Sequence, residues 1–321
     1  MAETMASRKR ASTPSMQICS PSSKAERWIW PPDRGEHSVR VHHLNCGSHC
    51  PLGGAIFDGV SQGVRADICT HCLLIESPAG LILVDTGYGM EDVRNHTARL
   101  PRLWPTFLNV RFRQEDTARN QIEQLGFSAT DVRHIVLTHL DFDHCSGLSD
   151  FPDARVHVLR TEEAAAQRRR GFVARQRYRP ALWANAADWR TYAPKGERWY
   201  GFEAVRQLDG LPPEILLVPL AGHTEGHAGV AVDTGTRWLL NAGDAFMHPG
   251  ELSCSPPQMP IGLKVYQSLM DTHAAKRVEN LARLRELHSV QHGHVAVFCS
   301  HDPLALADLM TCPRVFGPAI T

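Results

Sequence analysis

Residues 138–147 read THLDFDHCSG, so four metal-competent side chains, His139, Asp141, Asp143 and His144, fall within six consecutive positions. A tight turn sends residues i and i+2 one way and i+4 and i+5 another, which suits two adjacent metal ions. Imidazole and carboxylate donors without thiolate suit Zn, Mn or Fe and not Cu(I) or an iron–sulfur cluster. Cys145 lies one residue outside the hexad. Further His and Asp residues stand in GHTEGH at 222–227, in Asp85-Thr86-Gly87, in Ala242-Gly243-Asp244 and in Ser300-His301-Asp302.

These side chains need elements to position them, and the apolar pattern supplies them. The run at 81–84 leads into Asp85, 135–138 into His139, 215–220 through Ala221-Gly222 into His223, 238–240 through Asn241-Ala242-Gly243 into Asp244, and 295–300 into His301. Read as β-strands, these runs put five polar residues at carboxyl ends, where loops on a rigid scaffold collect catalytic groups. Five such residues, all His or Asp, point to one site assembled from distant segments. Residues 39–44, 68–75, 156–159 and 230–232 read as further strands, and the turn Ser77-Pro78-Ala79-Gly80 joins 68–75 to 81–84. Helices are expected at 114–125, stopped by Gly126, over much of 259–287 and at 304–310. Strands interspersed with helices predict a layered α/β sandwich.

Other residues compete for the same chemistry. His292 and His294 precede the strand at 295–299, roughly 20 Å from its far end at ~3.3 Å per residue, so His301 is preferred. His42, His43, His49 and His71 read as surface or partly buried histidines near the first hairpin, with His49 able to line a pocket mouth. Cys46 and Cys50 with Cys69 and Cys72 could form a four-thiolate zinc site. The odd spacing of Cys69 and Cys72 puts them on opposite faces of a strand, which favours simple packing.

Composition bounds the function. The chain has 321 residues with 34 basic and 34 acidic side chains, and this balance argues against a general nucleic-acid binder. No apolar run approaches the ~18 residues of a membrane span. Residues 1–38, rich in Ser, Thr, Pro and charge, read as a disordered tail without the apolar core of a secretory signal. Nine cysteines without such a signal read as reduced thiols in a cytoplasm. Residues 39–321 read as one domain, in which the stretch at about 161–201, with Arg168-Arg169-Arg170, Arg177, Tyr178 and Tyr200, forms a lid.

Taken together, the motifs resemble those of the metallo-β-lactamase fold superfamily. THLDFDHCSG is similar to its HxHxDH motif, GHTEGH to its GHTxGH motif, Asp85-Thr86-Gly87 to the Asp-Thr-Gly after an early strand, and Asp244 and His301 to its later ligands. The resemblance spans about 39–305 and is nearest to the lactonase-like branch, which includes acyl-homoserine lactonases. It implies an αββα sandwich with the metals at the strand carboxyl ends. It further implies that His139 and His223 bind a first metal, that Asp143, His144 and His301 bind a second, and that Asp244 bridges both. His227 matches a position that orients a loop, and Asp85 one that holds a ligand histidine. Asp141 departs from the pattern, which has His there. It is kept at the first metal, where a carboxylate makes the site more negative and admits Mn or Fe beside the expected pair of Zn ions.

The implied activity is hydrolysis of a lactone or other carboxylic ester by a metal-held hydroxide, with Asp143 moving a proton and Tyr178 or Tyr200 available to an oxyanion. A small-molecule substrate is expected, with no nucleic-acid or membrane partner. The alternatives are an iron-dependent redox or dioxygenase-type member of the same fold, prompted by Asp141, and a phosphodiesterase branch. Neither a G-x-S-x-G elbow nor a phosphate-binding loop is present.

Overall fold

A computed structural model describes residues 39–311 apart from Asn185 and Ala187; the stretch 1–38, expected as a tail, lies outside the described residues. The strands, in chain order, are β1 (Arg40–His49), β2 (Ile68–Ser77), β3 (Gly80–Val84), β4 (Val110–Arg111), β5 (Val132–Val136), β6 (Arg155–Leu159), β7 (Asp188–Tyr192), β8 (Glu197–Trp199), β9 (Phe202–Gln207), β10 (Ile215–Pro219), β11 (Ala228–Asp233), β12 (Trp238–Asn241) and β13 (Val295–Phe298). They form two sheets, ordered β4-β1-β2-β3-β5-β6-β7 and β13-β12-β11-β10-β9-β8.

The central strands read as unbroken apolar runs because both of their faces are covered. In β3, Ile82 and Val84 face the core between the sheets, where they meet Ile215, Leu217, Val230 and Leu239. Leu81 and Leu83 face the opposite way, into an outer core with Ile122 and Leu148. Behind the second sheet, Leu240 and Val218 pack against Leu281, Leu284 and Leu287 of the helix Ala274–Gln291. The result is the expected αββα sandwich.

The pairing decides where the site falls. β3, β5 and β6 are parallel, and so are β12 and β13. The carboxyl ends of β3 and β5 in one sheet, and of β10, β12 and β13 in the other, lead into Asp85, His139, His223, Asp244 and His301.

Two expected elements differ. The helical stretch at 259–287 is two helices, Ile261–Met270 and Ala274–Gln291. At the break, the backbone N–H groups of Thr272 and His273 donate to the carbonyl of Gly222, and so brace the loop that carries His223. The stretch read as a lid is mixed. It begins with the helices Arg160–Arg168 and Phe172–Arg177, but β7 then pairs with β6, and β8 and β9 extend the second sheet. No helix among the described residues is long and apolar enough to cross a membrane.

Candidate metal centre

After β5 the chain leaves the sheet and enters the short helix Phe142–Cys145, whose first turn closes with the N–H groups of His144 and Cys145 donating to the carbonyl of Asp141. This turn separates the hexad's side chains. His139 and Asp141 lie with His223, and the ligand atoms of these three fall within 4.8 Å of one another. His144 joins His139 and Asp244 in a second such group, and Asp143 joins His301 and His49 in a third.

Asp244 lies among four imidazoles. Its Oδ1 is 3.3 Å from His144 Nε2, and its Oδ2 is 3.2 Å from His301 Nε2, 3.5 Å from His223 Nε2 and 3.9 Å from His139 Nε2. Asp143 Oδ2 lies 3.6 Å from His301 Nε2 and 3.8 Å from His144 Nε2. Asp141 Oδ2 is 3.0 Å from His223 Nε2 and 3.6 Å from His139 Nε2. All seven side chains are buried.

In His144, His301 and His139 the other ring nitrogen is committed to the protein, which turns Nε2 inward. His144 Nδ1 donates to Asp85 at 2.8 Å, and His301 Nδ1 donates to the Cys69 carbonyl at 2.8 Å. His139 Nδ1 lies 2.9 Å from the Thr138 hydroxyl. Asp85, in the left-handed region at φ +56°, also accepts from the Thr138 N–H at 2.8 Å and the Thr138 hydroxyl at 2.7 Å. It therefore ties the end of β3 to the hexad and orients His144. His227 has no nitrogen to spare: Nδ1 donates to the Leu220 carbonyl and Nε2 accepts from the Asp244 N–H at 2.9 Å. It positions the Asp244 loop. Gly243 is required there, at φ +54°, because a Cβ would lie 2.6 Å from His227 Nε2.

The electrostatics call for a cation. Burial lowers the pKa of an imidazole, yet Asp244, Asp143 and Asp85 hold His144 well above its ordinary value. Against the same desolvation, Asp244 and Asp143 lift His301 to about 9. Burial would raise the Asp244 carboxyl, but the charges of His301 and His144 hold it well below the usual carboxylate range. His139 Nε2, His144 Nε2 and Asp244 Oδ1 are buried and make no hydrogen bond. Divalent ions would satisfy these unpaired lone pairs, so the residues fit a metal centre.

A profile of the metallo-beta-lactamase superfamily matches residues 70–288. The chain belongs to the metallo-β-lactamase superfamily. A probable metallo-hydrolase of Mycobacterium tuberculosis is 41% identical over 265 residues, 83% of this chain and 81% of the relative. An N-acyl homoserine lactonase of Bacillus thuringiensis is 24% identical over 190 residues, 57% of this chain and 68% of that one. Among solved structures, an N-acyl homoserine lactone hydrolase with N-hexanoyl-L-homoserine at its catalytic metal centre superposes with a TM-score of 0.63, at 20% identity, over 84% of this chain and 96% of that one. The protein is a metallohydrolase of this superfamily, with lactonase-like structural neighbours.

Several residues of this metallohydrolase site carry no sequence signal. Glu162, fully buried, accepts from the N–H of Leu140 and the N–H of Gly226, each at 3.0 Å, and from the Tyr178 hydroxyl at 3.2 Å. It clamps the hexad to the GHTEGH loop, and Gly226 has no room for a Cβ, which would lie 2.1 Å from the Glu162 nitrogen. Tyr178 is thus committed to Glu162, and Tyr200 lies at the β8–β9 turn with its ring against Trp199. Tyr266, on the helix Ile261–Met270, feels the charges of the site. Burial and the negative charges of Asp143, Asp141 and Asp244 keep its hydroxyl protonated, well above its ordinary pKa.

Two histidines of the first hairpin differ from expectation. His43 and His71 are buried in the core, and His49 sits in the site wall, with Nε2 3.0 Å from the Tyr88 hydroxyl and 3.9 Å from Asp143 Oδ2. Burial pushes His49 down to about 4 despite Asp143, so it is a neutral imidazole beside the second set of ligands. The extra negative charge expected at Asp141 is matched by Arg177, whose Nε lies 2.9 Å from Asp141 Oδ1. Candidate ligand groups among the described residues contain no cysteine.

Proposed function

We propose that the protein is a dinuclear hydrolase that opens a lactone or cleaves a related carboxylic ester. The observation that carries this reading is the Asp244 carboxylate, which approaches four imidazole Nε2 atoms at 3.2–3.9 Å and divides them between its two oxygens. His139, Asp141 and His223 would hold a first divalent ion and Asp143, His144 and His301 a second, with Asp244 shared between them. Two such ions supply a hydroxide at neutral pH and polarise a carbonyl oxygen. The donor set suits zinc, and the dizinc quorum-quenching lactonase among the structural neighbours supports that choice.

The chain's own groups then have separate tasks. Asp143, on the short helix that begins the far side of the site, receives the proton released on attack and passes it to the leaving alkoxide. Tyr266 keeps its O–H and donates to the substrate's oxygen. Tyr88 and His49 fix the wall beside Asp143 through their mutual hydrogen bond. Lactones suit the proposal because the structural neighbours include enzymes that act on homoserine lactones. A cytoplasmic setting belongs to the same proposal, supported by the described cysteines, all of which are free thiols.

The test is hydrolysis of a panel of N-acyl homoserine lactones, simple δ-lactones and aryl esters by metal-loaded and metal-stripped protein. Cleavage that chelation removes and zinc restores is expected. Cleavage unaffected by metal removal would overturn the proposal.

A further inference from the structure

Arg177 is the largest of the fully buried side chains, and hydrolysis assigns it no task. One terminal nitrogen donates to the His223 carbonyl at 2.8 Å and to the Thr272 hydroxyl at 3.2 Å, and the other donates to the Met270 carbonyl at 2.6 Å. Nε then lies 2.9 Å from Asp141 Oδ1. The guanidinium is therefore fixed by the ligand loop on one side and by the break between the two long helices on the other. A buried cation held this way needs a partner anion, and Asp141 is its ion-pair partner.

Asp141 is divided by this contact. Oδ1 faces the guanidinium, and Oδ2 faces His223 Nε2 and His139 Nε2. We propose that Asp141 and Arg177 act as one unit, in which Arg177 is a positioning residue that cancels the carboxylate's charge and leaves a single oxygen for the first metal position. The unit presents the net charge of a neutral imidazole, the side chain that the superfamily's motif carries at this place. The inference rests on the two-metal reading above. It also gives the first half of the stretch at 161–201 a definite task, since Arg177 closes the helix Phe172–Arg177 and brings the counter-charge from there.

The same arrangement predicts that the usual residue is the wrong one here. Asp141→His installs the imidazole of the motif but takes away the one carboxylate in direct contact with the guanidinium, leaving Glu162 as a more remote counter-charge. A second cation at that point repels a metal ion, and low dielectric strengthens the repulsion.

The experiment titrates metal-free protein with Co(II), following the visible absorption of the bound ion and the metal content per chain. Wild type, Asp141→His, Asp141→Asn and Asp141→His with Arg177→Met are compared, each checked for folding by circular dichroism. Wild type should take up two ions. Asp141→His and the isosteric Asp141→Asn should both lose first-position affinity, by roughly 10–100-fold, the range typical when a ligand's supporting partners are disturbed. The second position should be little changed. Removing the guanidinium in the double variant should restore most of the Asp141→His loss. If the double variant does not fold, the two single variants still decide the matter. Two ions in wild type and an Asp141→His variant that binds both as tightly would overturn the paired unit alone. Fewer than two ions in wild type would overturn the two-metal reading and the unit with it.

Discussion

The buried histidines of the core behave oppositely to His144 and His301 of the candidate metal centre, where His223 is lowered like those of the core. His43 Nδ1 meets His71 Nε2 at 2.8 Å within the core, beside Phe298. His134, His157 and Tyr192 form a second chain, with contacts of 2.9 and 2.7 Å. Burial drives these imidazoles toward the neutral form: His43 falls to about 4, His157 to about 3, and His71 lies well below its ordinary value. In the candidate metal centre His144 and His301 are buried just as fully, yet their pKa values rise because Asp244 and Asp143 stand beside them. The difference teaches that burial alone makes a histidine a neutral packing unit. Carboxylates in excess of fixed cations turn a histidine cluster into a place for a metal.

The largest effect should come from removing the shared carboxylate. Asp244→Ala is expected to lose both bound ions and all measurable turnover, read by metal analysis and lactone hydrolysis. A variant that kept two ions would erase the distinction between the two groups. Glu162→Ala should come next. It leaves two buried N–H groups, those of Leu140 and Gly226, without an acceptor, at about 1–3 kcal/mol each. It should also lower metal affinity roughly 10–100-fold, as loss of a ligand's supporting partner does. A chemical melt combined with Co(II) titration would separate the two losses.

The pH dependence of metal-free protein sharpens the contrast further. His301 has a folded pKa of about 9 against an ordinary 6.5, so its stabilisation is complete below about pH 6.5 and disappears as pH rises toward 9. His43 and His157, with lowered values, act in the opposite sense: their contribution is present above about pH 6.5 and is lost as pH falls toward 4 and 3. Denaturant midpoints of stripped protein should therefore fall on both sides of neutrality. Zinc should abolish the alkaline fall, because the metal takes the unprotonated imidazoles. An alkaline limb unchanged by zinc would contradict this. The smallest effect is expected for His157→Phe, which breaks the chain to Tyr192 at about 1–3 kcal/mol of stability and leaves metal content and turnover as they were.

Much of the site was legible because its chemistry is local. The hexad lies in one turn, and the other candidate ligands follow apolar runs whose strand character is plain. Asp85 and His227 are expected from motif alone, and each makes hydrogen bonds to residues of the candidate site. What escaped depends on tertiary packing. Arg177 and Glu162 sit in polar helical sequence that looks like any solvated face, and only the fold buries them against the ligand loops. Tyr266 lies on an unremarkable helix, and His49, readable from the sequence only as able to line a pocket mouth, comes to the site because β1 runs five residues beyond the apolar run that ends at Leu44. β7 was missed because its residues DWRTY are mostly half-exposed at the sheet edge, so they show no apolar alternation.

The most direct measurement is metal analysis of protein purified without added metal, with lactone and ester hydrolysis run on the same sample. Two divalent ions per chain, and lactone cleavage that falls and returns with them, are the predicted result. A metal-free chain that hydrolyses the panel equally well, or a chain with two ions that cleaves no lactone or ester, would contradict the account.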